Sequence, residues 1–445
     1  MQEQCPAAAT ASFLNWSCRV RATLRRLLPL LLGAASLWTH SSCTIVSSIV
    51  GKEKRDVYKF DHPFAAENPA FRRSAEALGF PMVEGNDADL LINGDQIFPA
   101  MTRDIRNARE TVNLETYIFQ PDEAGRQFAE AMIAAAKNGV EVRLLVDSWG
   151  SKLGDLEKPL KDAGVRVRKY RPVRLYSIYK VGRRTHRKIL VVDGRIAYTG
   201  CLGIDKRWLG NARNKKEWRD TQVRAVGPVA GQMQAIFSED WTYTTGEILA
   251  GDKFYPSSKH AGAVLAQAIK ASRGDSSSLS KMLYYIAIQS ARERIWIANA
   301  YFLPDKQVRD ALVDAVKRGV DVQVMVPGRH IDLPLVRSAS WRHYGELLEG
   351  GVKIFEYTPT MIHNKTMVID GIYSTIGSIN FDARSMSRNA EESMAFYDRG
   401  FARRIEQMFE GDKKRCEQIT SAIWKHRGVD KRLAEVVSWI WEPYY

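Results

Sequence analysis

Two short stretches of the sequence each place a histidine and a lysine two residues apart. His186 and Lys188 stand in "THRKILVVDGRIAYTG", and His363 and Lys365 stand in "IHNKTMVID". Side chains two apart on a strand share a face, so the polar groups of each pair would converge. One such pair alone is typical of a satisfied core histidine beside a lysine, whereas its recurrence favours a functional site.

Two histidines and two lysines that meet at one point would suit a tetrahedral anion such as phosphate. The lysine ammonium groups would hold its oxygens and neutralise charge in the transition state. One imidazole can attack phosphorus as the nucleophile, while the other donates a proton to the leaving alkoxide and later serves as the base. This chemistry needs no metal or other cofactor, and neither motif is accompanied by an H-E-x-x-H sequence, a cysteine cluster or a carboxylate pair with metal-ligand spacing.

Each histidine also needs a carboxylate to fix its tautomer and support the imidazolium form. Asp220 in "KKEWRDTQV" and Glu391 in "SRNAEESMAF" follow the two motifs and are predicted to do this. Asp193 and Asp370 stand at equal offsets after the histidines, on the opposite strand face, and each begins an Asp-Gly pair that is typical of a hairpin. We predict that these two aspartates are structural. The glycines that end the motifs are expected to be structural as well, Gly200 and Gly377.

The elements that must position these residues recur with them. The segment "ARETVNLETYIFQPDEAGRQFAEAMIAAAKNGVEVRLLVD" from Ala108 matches "ARERIWIANAYFLPDKQVRDALVDAVKRGVDVQVMVP" from Ala291. Each contains an apolar strand, a Pro-Asp pair, a helical stretch and a second strand, and a strand with the motif follows. Crossovers of this kind build parallel sheets with helices on both faces. We therefore predict an α/β fold of two pseudo-twofold-related β-α-β-α halves, with mixed, mainly parallel sheets flanked by helices.

Composition divides the chain into five parts. We predict an N-terminal membrane anchor or signal segment, a first motif-bearing domain, a linker, a second motif-bearing domain and a basic, aromatic helical tail. Their predicted ranges are 1–51, 52–245, 246–262, 263–400 and 401–445. The last range ends in "SWIWEPYY", whose aromatic side chains suit either an interfacial membrane contact or docking onto the core.

Residues 1–51 place four arginines before the apolar run "LLPLLLGAASLW". A basic region followed by an apolar core is typical of an export signal. Extended to Val50, the run is long enough to span a bilayer, and Cys43 after two serines offers a lipid-modified cysteine as a third interpretation. All three interpretations put the chain at a membrane.

The formal net charge of +14 and the pI of about 9.4 indicate an anionic partner, either phospholipid headgroups or nucleic acid. With 45% hydrophobic and 26% charged residues, the bulk composition is that of a globular protein. The five cysteines form no C-x-x-C pair or disulfide framework. A basic, aromatic run, "VRVRKYRPVRLYSIYKVGRRTHRK", leads into the first motif and would either dock anionic headgroups or form a solvated loop.

The pattern H-x-K-x(4)-D-x(6)-G, present once in each half, resembles the two motifs of the phospholipase D superfamily. The second copy also has the Gly-Ser-x-Asn extension, at Gly377, Ser378 and Asn380, whereas the first has Cys201 and Gly203 in place of Ser and Asn. The stretch "HRKILVVDGRIAYTGCLGID" and the later "WRDTQVRAVGPV" are similar to the bacterial cardiolipin synthase branch. The resemblance covers the chain from about residue 70 onward.

The resemblance implies a role for each matched residue. His186 would be the nucleophile that forms a phosphohistidine, and His363 would be the general acid and then the base. Asp220 and Glu391 would orient the histidines. The groups that bind phosphate would be those of Lys188, Lys365, Ser378 and Asn380.

The resemblance also implies the reaction. We expect a phosphatidyltransferase of the cardiolipin synthase type, which condenses two phosphatidylglycerol molecules to cardiolipin and glycerol. The alternatives are a phospholipase D that hydrolyses phospholipids to phosphatidic acid, and a nuclease or phosphodiesterase. The expected partners are anionic phospholipids, namely phosphatidylglycerol and cardiolipin, and a membrane surface. We expect the protein to lie at the bacterial inner membrane through its N-terminal segment or, alternatively, to be an exported lipoprotein. The predicted membrane segment disfavours nucleic acid as the partner. The paired motifs disfavour a non-catalytic lipid-binding function. The sequence does not indicate an oligomeric state.

Overall fold

The computed structural model of the chain describes residues 58–172, 184–257, 259–271, 275–387 and 389–428. The predicted segment 1–51, residues 173–183 of the basic run and residues 429–445 of the predicted tail lie outside the described residues. Both halves lie in one compact unit that begins at Lys59. Within the described ranges, none of the helices combines the length and the apolar composition that a membrane span requires.

The first half begins with a short helix and holds the first motif between its fourth and fifth strands. In chain order its elements are α1 (Pro69–Ala77), β1 (Val83–Ile92), α2 (Asn93–Arg106), β2 (Thr111–Thr116), α3 (Glu123–Lys137), β3 (Glu141–Asp147), a 3-10 turn (Gly154–Leu156), α4 (Glu157–Asp162), β4 (Arg166–Tyr170), β5 (Ile189–Val192), β6 (Ile196–Gly200), a 3-10 turn (Lys206–Trp208), β7 (Thr221–Val226) and α5 (Val229–Thr245).

The second half repeats this order around the second motif. Its elements are β8 (Val264–Ala271), α6 (Asp275–Ser290), β9 (Arg294–Asn299), α7 (Lys306–Lys317), β10 (Asp321–Pro327), α8 (Pro334–Glu349), β11 (Lys353–Tyr357), β12 (Lys365–Ile369), β13 (Tyr373–Gly377), α9 (Ala383–Ser387), β14 (Glu391–Tyr397), α10 (Arg399–Lys413), β15 (Cys416–Ile419) and α11 (Ser421–Lys425).

The crossover helix of each half begins at the repeated Pro-Asp pair. Asp122 is the N-cap of α3, and its side chain accepts hydrogen bonds from the backbone N–H groups of Ala124 and Gly125. Asp305 is the N-cap of α7, and its side chain accepts from the N–H of Val308. These carboxylates satisfy donors that a helix start leaves without intrahelical partners. The duplicated Pro-Asp pair therefore fixes where the chain turns from strand to helix.

The described strands form one sheet, in the order β15-β11-β10-β9-β12-β13-β14-β8-β1-β7-β6-β5-β2-β3-β4. The pairs β2–β3, β3–β4, β9–β10 and β10–β11 are parallel. The other ten of the fourteen neighbouring pairs in this sheet are antiparallel. The predicted mixed α/β fold is confirmed, but the expectation of mainly parallel sheets is corrected, because hairpins and returning strands outnumber the crossovers.

The two Asp-Gly pairs form the hairpin turns β5–β6 and β12–β13. Asp193 and Asp370 both have left-handed backbones, with φ of 51° and 50°. Their carboxylates accept hydrogen bonds from three successive backbone N–H groups each, those of residues 109–111 and 292–294. The first two N–H groups of each set belong to the Ala-Arg-Glu sequence that starts each duplicated segment, and the third belongs to the first residue of β2 or β9. The contacts support a structural role, in which each aspartate ties its hairpin to the start of the adjacent strand.

Gly200 and Gly377 end β6 and β13 where the next strand passes too close for a side chain. A Cβ atom added to Gly200 would lie 2.5 Å from the carbonyl oxygen of Thr221. A Cβ atom added to Gly377 would lie 2.3 Å from the Cα atom of Ser393. The close approach supports the structural role expected of both glycines.

The two halves share buried contacts rather than packing as separate domains. One apolar cluster joins Val191 and Val223 of the first half to Val368 and Phe396 of the second. Strand β1 pairs with both β7 and β8 and so continues the sheet from one half into the other. Helix α1 begins the first half in sequence, yet its Phe71 lies in the core cluster of the second half.

The predicted boundaries coincide with some element ends and cut across others. Helix α5 ends at Thr245, Gly246 takes a left-handed conformation with φ of 79°, and β8 begins at Val264, as a linker over 246–262 would require. Residues 401–413, however, belong to α10, whose Phe401 and Ile405 are buried against the sheet. This part of the predicted tail is therefore integral to the fold, and the domain ranges themselves remain predictions.

Candidate active site

Isolated backbone bridges join the segment before each motif strand to a segment of the other half. The bridges are Thr185 with Ala390 and Ile362 with Arg219. The backbone N–H of His186 donates to the carbonyl oxygen of Ala390 at 2.8 Å, and that of His363 donates to the carbonyl oxygen of Arg219 at 2.8 Å. Each histidine is thus held beside the residue that precedes the predicted carboxylate of the other half.

The carboxylates orient the histidines crosswise. His186 Nδ1 lies 2.8 Å from Glu391 Oε2, and His363 Nδ1 lies 3.1 Å from Asp220 Oδ2. A carboxylate accepts hydrogen bonds only, so each Nδ1 is the protonated nitrogen when the ring is neutral. The Nε2 atom of each ring is therefore left with its lone pair for chemistry.

Further hydrogen bonds hold both carboxylates in place. The indole N–H of Trp208 donates to Asp220 Oδ2 at 2.5 Å, and the hydroxyl of Ser385 donates to Glu391 Oε1 at 2.8 Å. Burial alone would raise the pKa of each carboxyl, but the adjacent histidines and lysines hold the pKa of Asp220 and of Glu391 below the ordinary range. Both groups are therefore anionic at neutral pH.

Each lysine side chain folds back onto the histidine of its own motif. The ammonium of Lys188 donates to the carbonyl oxygen of His186, and that of Lys365 donates to the carbonyl oxygen of His363 at 3.0 Å. Lys365 Nζ also lies 3.3 Å from His363 Nε2. Burial lowers the pKa of Lys188 to about 8, so this ammonium remains mostly charged at pH 7.

Burial lowers the pKa of both histidines to about 4. The neighbouring charges act in opposite directions: Glu391 raises the pKa of His186, whereas the ammonium of Lys365 lowers the pKa of His363. Because pH 7 lies above both values, both rings are neutral there. A neutral imidazole can act as a nucleophile, and an anionic phosphodiester bound between the rings would favour the protonation that a general acid needs.

We expect neither imidazole to gain a proton across the ordinary histidine range near pH 6.5, because burial depresses the pKa of each to about 4. Nuclear magnetic resonance of the ring C–H groups between pH 8 and 4 would measure this, with His186→Gln and His363→Gln providing the assignments. Midpoints near 6.5 for both rings would contradict the account of burial.

His186, Lys188 and His363 line a cavity of about 250 Å³, whereas Lys365 contacts His363 and is not among the lining residues. Aromatic side chains of its wall pack against both histidines: the rings of Tyr117 and His186 have centroids 5.1 Å apart, and Trp208 lies edge-on to His363 at 5.3 Å. The lining residues are Tyr117, Ile118, Arg184, His186, Lys188, Cys201, Gly203, Trp208, Trp218, Tyr301, Leu303, Asp332, Leu333, Val336, His363, Asn380, Asp382, Arg384, Ser385 and Asn389. Among the described residues, no group of three or more His, Cys, Asp and Glu side chains is arranged to hold a metal ion.

The two residues of the Gly-Ser-x-Asn extension lie in different places. Asn380 lines the cavity, and its amide N–H donates to the Ser385 hydroxyl at 3.1 Å. Ser378 is fully buried and donates to Glu392 Oε2 at 3.1 Å. Burial raises the pKa of Glu392 to about 7, and its Oε1 accepts from the backbone N–H of Lys188. A direct phosphate contact, predicted for both residues, is thus compatible with the position of Asn380 but not with that of Ser378.

Several cavity residues were not predicted from the sequence. Tyr117 and Tyr301 follow β2 and β9 one position apart in the duplicated segments, and each ring packs against one of the two histidines. The signal was present in "TYIFQPD" and "AYFLPD". Trp208 and Arg384 lie outside the duplicated segments, so the repeat gave no indication of them.

A family model described as "Cardiolipin synthase, PLD-like domain" matches residues 101–241 and 284–413, more than half of the chain. A cardiolipin synthase of Oceanobacillus iheyensis is 32% identical over 362 residues, 81% of this chain and 75% of that protein. A cardiolipin synthase A of Pseudomonas entomophila is 34% identical over 360 residues, 80% of this chain and 74% of that protein. A probable cardiolipin synthase of Bacillus subtilis is 35% identical over 372 residues, 82% of this chain and 73% of that protein.

Solved structures share the fold at lower sequence identity. The phosphatidylserine synthase of Haemophilus influenzae superposes with a TM-score of 0.61 at 12% identity, covering 84% of this chain and 97% of that chain. A polyphosphate kinase of Porphyromonas gingivalis gives a TM-score of 0.52 at 14% identity, covering 87% of this chain and 57% of that chain. At these identities the likeness shows the fold alone.

Proposed function

The chain belongs to the family of cardiolipin synthases with phospholipase D-like domains, and we propose that it condenses two phosphatidylglycerol molecules through a phosphohistidine at His186. The observation that carries the mechanism is the crosswise pairing of His186 with Glu391 and of His363 with Asp220 around one cavity. Two imidazoles whose Nδ1 atoms are held by carboxylates and two ammonium groups provide a nucleophile, an acid and the charge that a phosphodiester requires.

In the first step, His186 Nε2 attacks the phosphorus of a bound phosphatidylglycerol. The new N–P bond replaces the P–O bond to the glycerol headgroup, and His363 donates its Nε2 proton to the departing glycerol oxygen. Lys188 and Lys365 neutralise the charge on the phosphoryl oxygens. Glu391 stabilises the positive charge that His186 acquires, because its carboxylate lies 2.8 Å from the Nδ1 atom.

In the second step, His363 acts as a base. It takes the proton from a hydroxyl of a second phosphatidylglycerol, whose oxygen then attacks phosphorus and displaces His186 Nε2. Cardiolipin is released and both imidazoles return to their starting states. Water in place of the lipid alcohol would give phosphatidic acid by the same route, which is the phospholipase D alternative.

The products formed from phosphatidylglycerol vesicles test the proposal. Purified protein should convert the lipid to cardiolipin and glycerol, separated by chromatography and identified by mass spectrometry. Phosphatidic acid as the sole lipid product would instead indicate a hydrolase. Cleavage of DNA or RNA without any lipid turnover would contradict both lipid activities.

We also propose that the cavity opens toward a membrane surface. Three large apolar side chains are exposed near it: Trp149 at 61%, Leu333 at 42% and Leu335 at 44%. Leu333 itself lines the cavity, and the Trp149 ring lies 5.9 Å from the Arg184 guanidinium, which also lines it. Exposed apolar side chains on a protein of net charge +14 suit the acyl region beneath anionic headgroups. Anchoring at the inner membrane through residues 1–51 is part of the same proposal.

Replacing these three side chains with serine should lower cardiolipin formation from vesicles about tenfold, because each buried apolar side chain contributes to membrane binding. Co-sedimentation with phosphatidylglycerol vesicles should weaken in parallel. Ile248→Ser is the matched control, since Ile248 is 78% exposed and is not among the lining residues. Unchanged sedimentation and turnover in the triple variant would contradict this membrane contact.

A further inference from the structure

Arg384 is a cavity-lining cation to which the mechanism gives no role. It lies in α9 and is partly buried. Among the described residues its guanidinium has neither a hydrogen-bond partner nor an ion-pair partner. By contrast, the ammonium of Lys188 donates to the His186 carbonyl oxygen, and the guanidinium of Arg184 donates to Ser148 Oγ at 3.0 Å. Arg384 is therefore a cavity-lining cation whose guanidinium has no hydrogen-bonded partner among the described residues.

The acidic side chains of the cavity have other side-chain or backbone donors, although the charge of Arg384 also acts to lower the pKa of Asp382. Asp332 accepts a hydrogen bond from the Tyr301 hydroxyl at 2.9 Å. Asp382 accepts from the backbone N–H of Ser385 at 2.7 Å, and burial raises the pKa of its carboxyl to about 6. A partly desolvated guanidinium without a carboxylate partner is costly unless an anion occupies its donors. The arrangement thus favours an anionic ligand from outside the chain.

Contacts of α9 place Arg384 on the nucleophile's side of the cavity. The next residue, Ser385, donates to Glu391, the carboxylate that holds His186. The backbone N–H of Asn389 donates to the carbonyl oxygen of Arg384 at 3.0 Å. The charge of Arg384 also reaches the hydroxyl of Tyr117, where it opposes the rise in pKa that burial causes. Tyr117 in turn packs against the His186 ring.

We propose that Arg384 binds the phosphodiester of the acceptor phosphatidylglycerol, an inference that rests on the proposed function. The two lysines hold the phosphoryl group under transfer, but the acceptor lipid carries a second phosphodiester one glycerol unit from its attacking hydroxyl. A guanidinium matches a phosphodiester with two parallel N–H···O hydrogen bonds. Arg384 lines the same cavity as His186, and a phosphate bound there would hold the acceptor hydroxyl near the phosphohistidine.

This assignment predicts how the phosphatidyl-enzyme chooses its acceptor. Ethanol has no phosphate, so its transfer does not use the Arg384 contact, whereas transfer to phosphatidylglycerol does. Both products share the first step, because the same donor lipid forms the same phosphohistidine. The ratio of cardiolipin to phosphatidylethanol therefore isolates recognition of the acceptor.

The experiment supplies phosphatidylglycerol vesicles and ethanol to the wild-type protein, Arg384→Gln and Arg384→Lys, and quantifies both lipid products. Arg384→Gln should lower the ratio of cardiolipin to phosphatidylethanol about tenfold or more, as expected for the loss of charge-assisted hydrogen bonds. The ratio for Arg384→Lys should lie between those of the wild-type protein and Arg384→Gln, because lysine keeps the charge but loses the bidentate geometry. Arg106→Gln is the control for the loss of one positive charge, since Arg106 is exposed on α2 and is not among the lining residues.

An unchanged ratio in Arg384→Gln would overturn the assignment, as would an equal loss of both products. A low ratio in Arg106→Gln would also overturn it, because the effect would then come from net charge. Failure of the wild-type protein to form either product would contradict the proposed function instead. Phosphatidylethanol formed by Arg384→Gln reports that this variant is folded and forms the phosphohistidine.

Discussion

His186→Ala should abolish cardiolipin formation, with a loss of about 10⁴-fold or more, because it removes the atom that bonds to phosphorus. The Nε2 atom of His186 is available for attack, since Glu391 occupies Nδ1 at 2.8 Å. Transfer to ethanol and hydrolysis by water should be lost together with cardiolipin formation, because all three reactions pass through the same phosphohistidine. Quantification of cardiolipin, phosphatidylethanol and phosphatidic acid from one incubation measures this.

The matched control is His426→Ala, which removes an exposed histidine at the end of α11 and should leave all three products within about twofold of wild type. Circular dichroism would check that His186→Ala is folded. Substantial cardiolipin formation by folded His186→Ala would contradict the two-histidine mechanism. Selective loss of cardiolipin alone would assign His186 to acceptor binding instead.

His363→Ala should lower turnover of phosphatidylglycerol by about 10²–10⁴-fold, because the departing glycerol oxygen then lacks its general acid. The His363 ring is oriented by Asp220, whose Oδ2 lies 3.1 Å from Nδ1. The ring is buried among three aromatic side chains, Trp208, Trp218 and Tyr301. A p-nitrophenyl phosphodiester has a leaving group that departs without a proton. The first step with this substrate should therefore suffer much less than the first step with phosphatidylglycerol.

The two substrates together separate the roles of the histidines. In His363→Ala, release of p-nitrophenol should show a burst followed by slow turnover, because the base that activates the acceptor is missing as well. His186→Ala should give no burst with either substrate. Equal losses on both substrates in His363→Ala, without a burst, would contradict the assignment of His363 as the proton-transfer residue.

The duplication predicted the β-α-β units because its cues were local. The Pro-Asp pairs that cap α3 and α7 and the Asp-Gly pairs that form the two hairpins all lie within short repeated stretches. The numbers of parallel and antiparallel strand pairs could not be predicted from such local cues. They depend on which strands become neighbours across the whole sheet, and the pairing of β1 with both β7 and β8 joins segments far apart in sequence.

The site residues could be predicted where reactive residue types recur at a fixed spacing. Contacts that depend on how the two halves pack together could not be predicted. The H-x-K repeat and the following carboxylates identified candidates, yet nothing in the sequence indicated that each histidine takes the carboxylate of the other half. That exchange follows from the backbone bridges between the halves. Ser378 shows the converse: its motif position suggested a phosphate contact, but its hydroxyl bonds to buried Glu392.

The central claim, that His186 becomes covalently bonded to phosphorus, can be tested by trapping the intermediate. His363→Ala incubated with a p-nitrophenyl phosphodiester labelled at phosphorus, quenched in alkali and digested, should yield one modified peptide whose phosphoramidate maps to His186 by mass spectrometry. The same treatment of His186→Ala should yield none. A label on another residue, or a labelled peptide that persists in His186→Ala, would contradict the account.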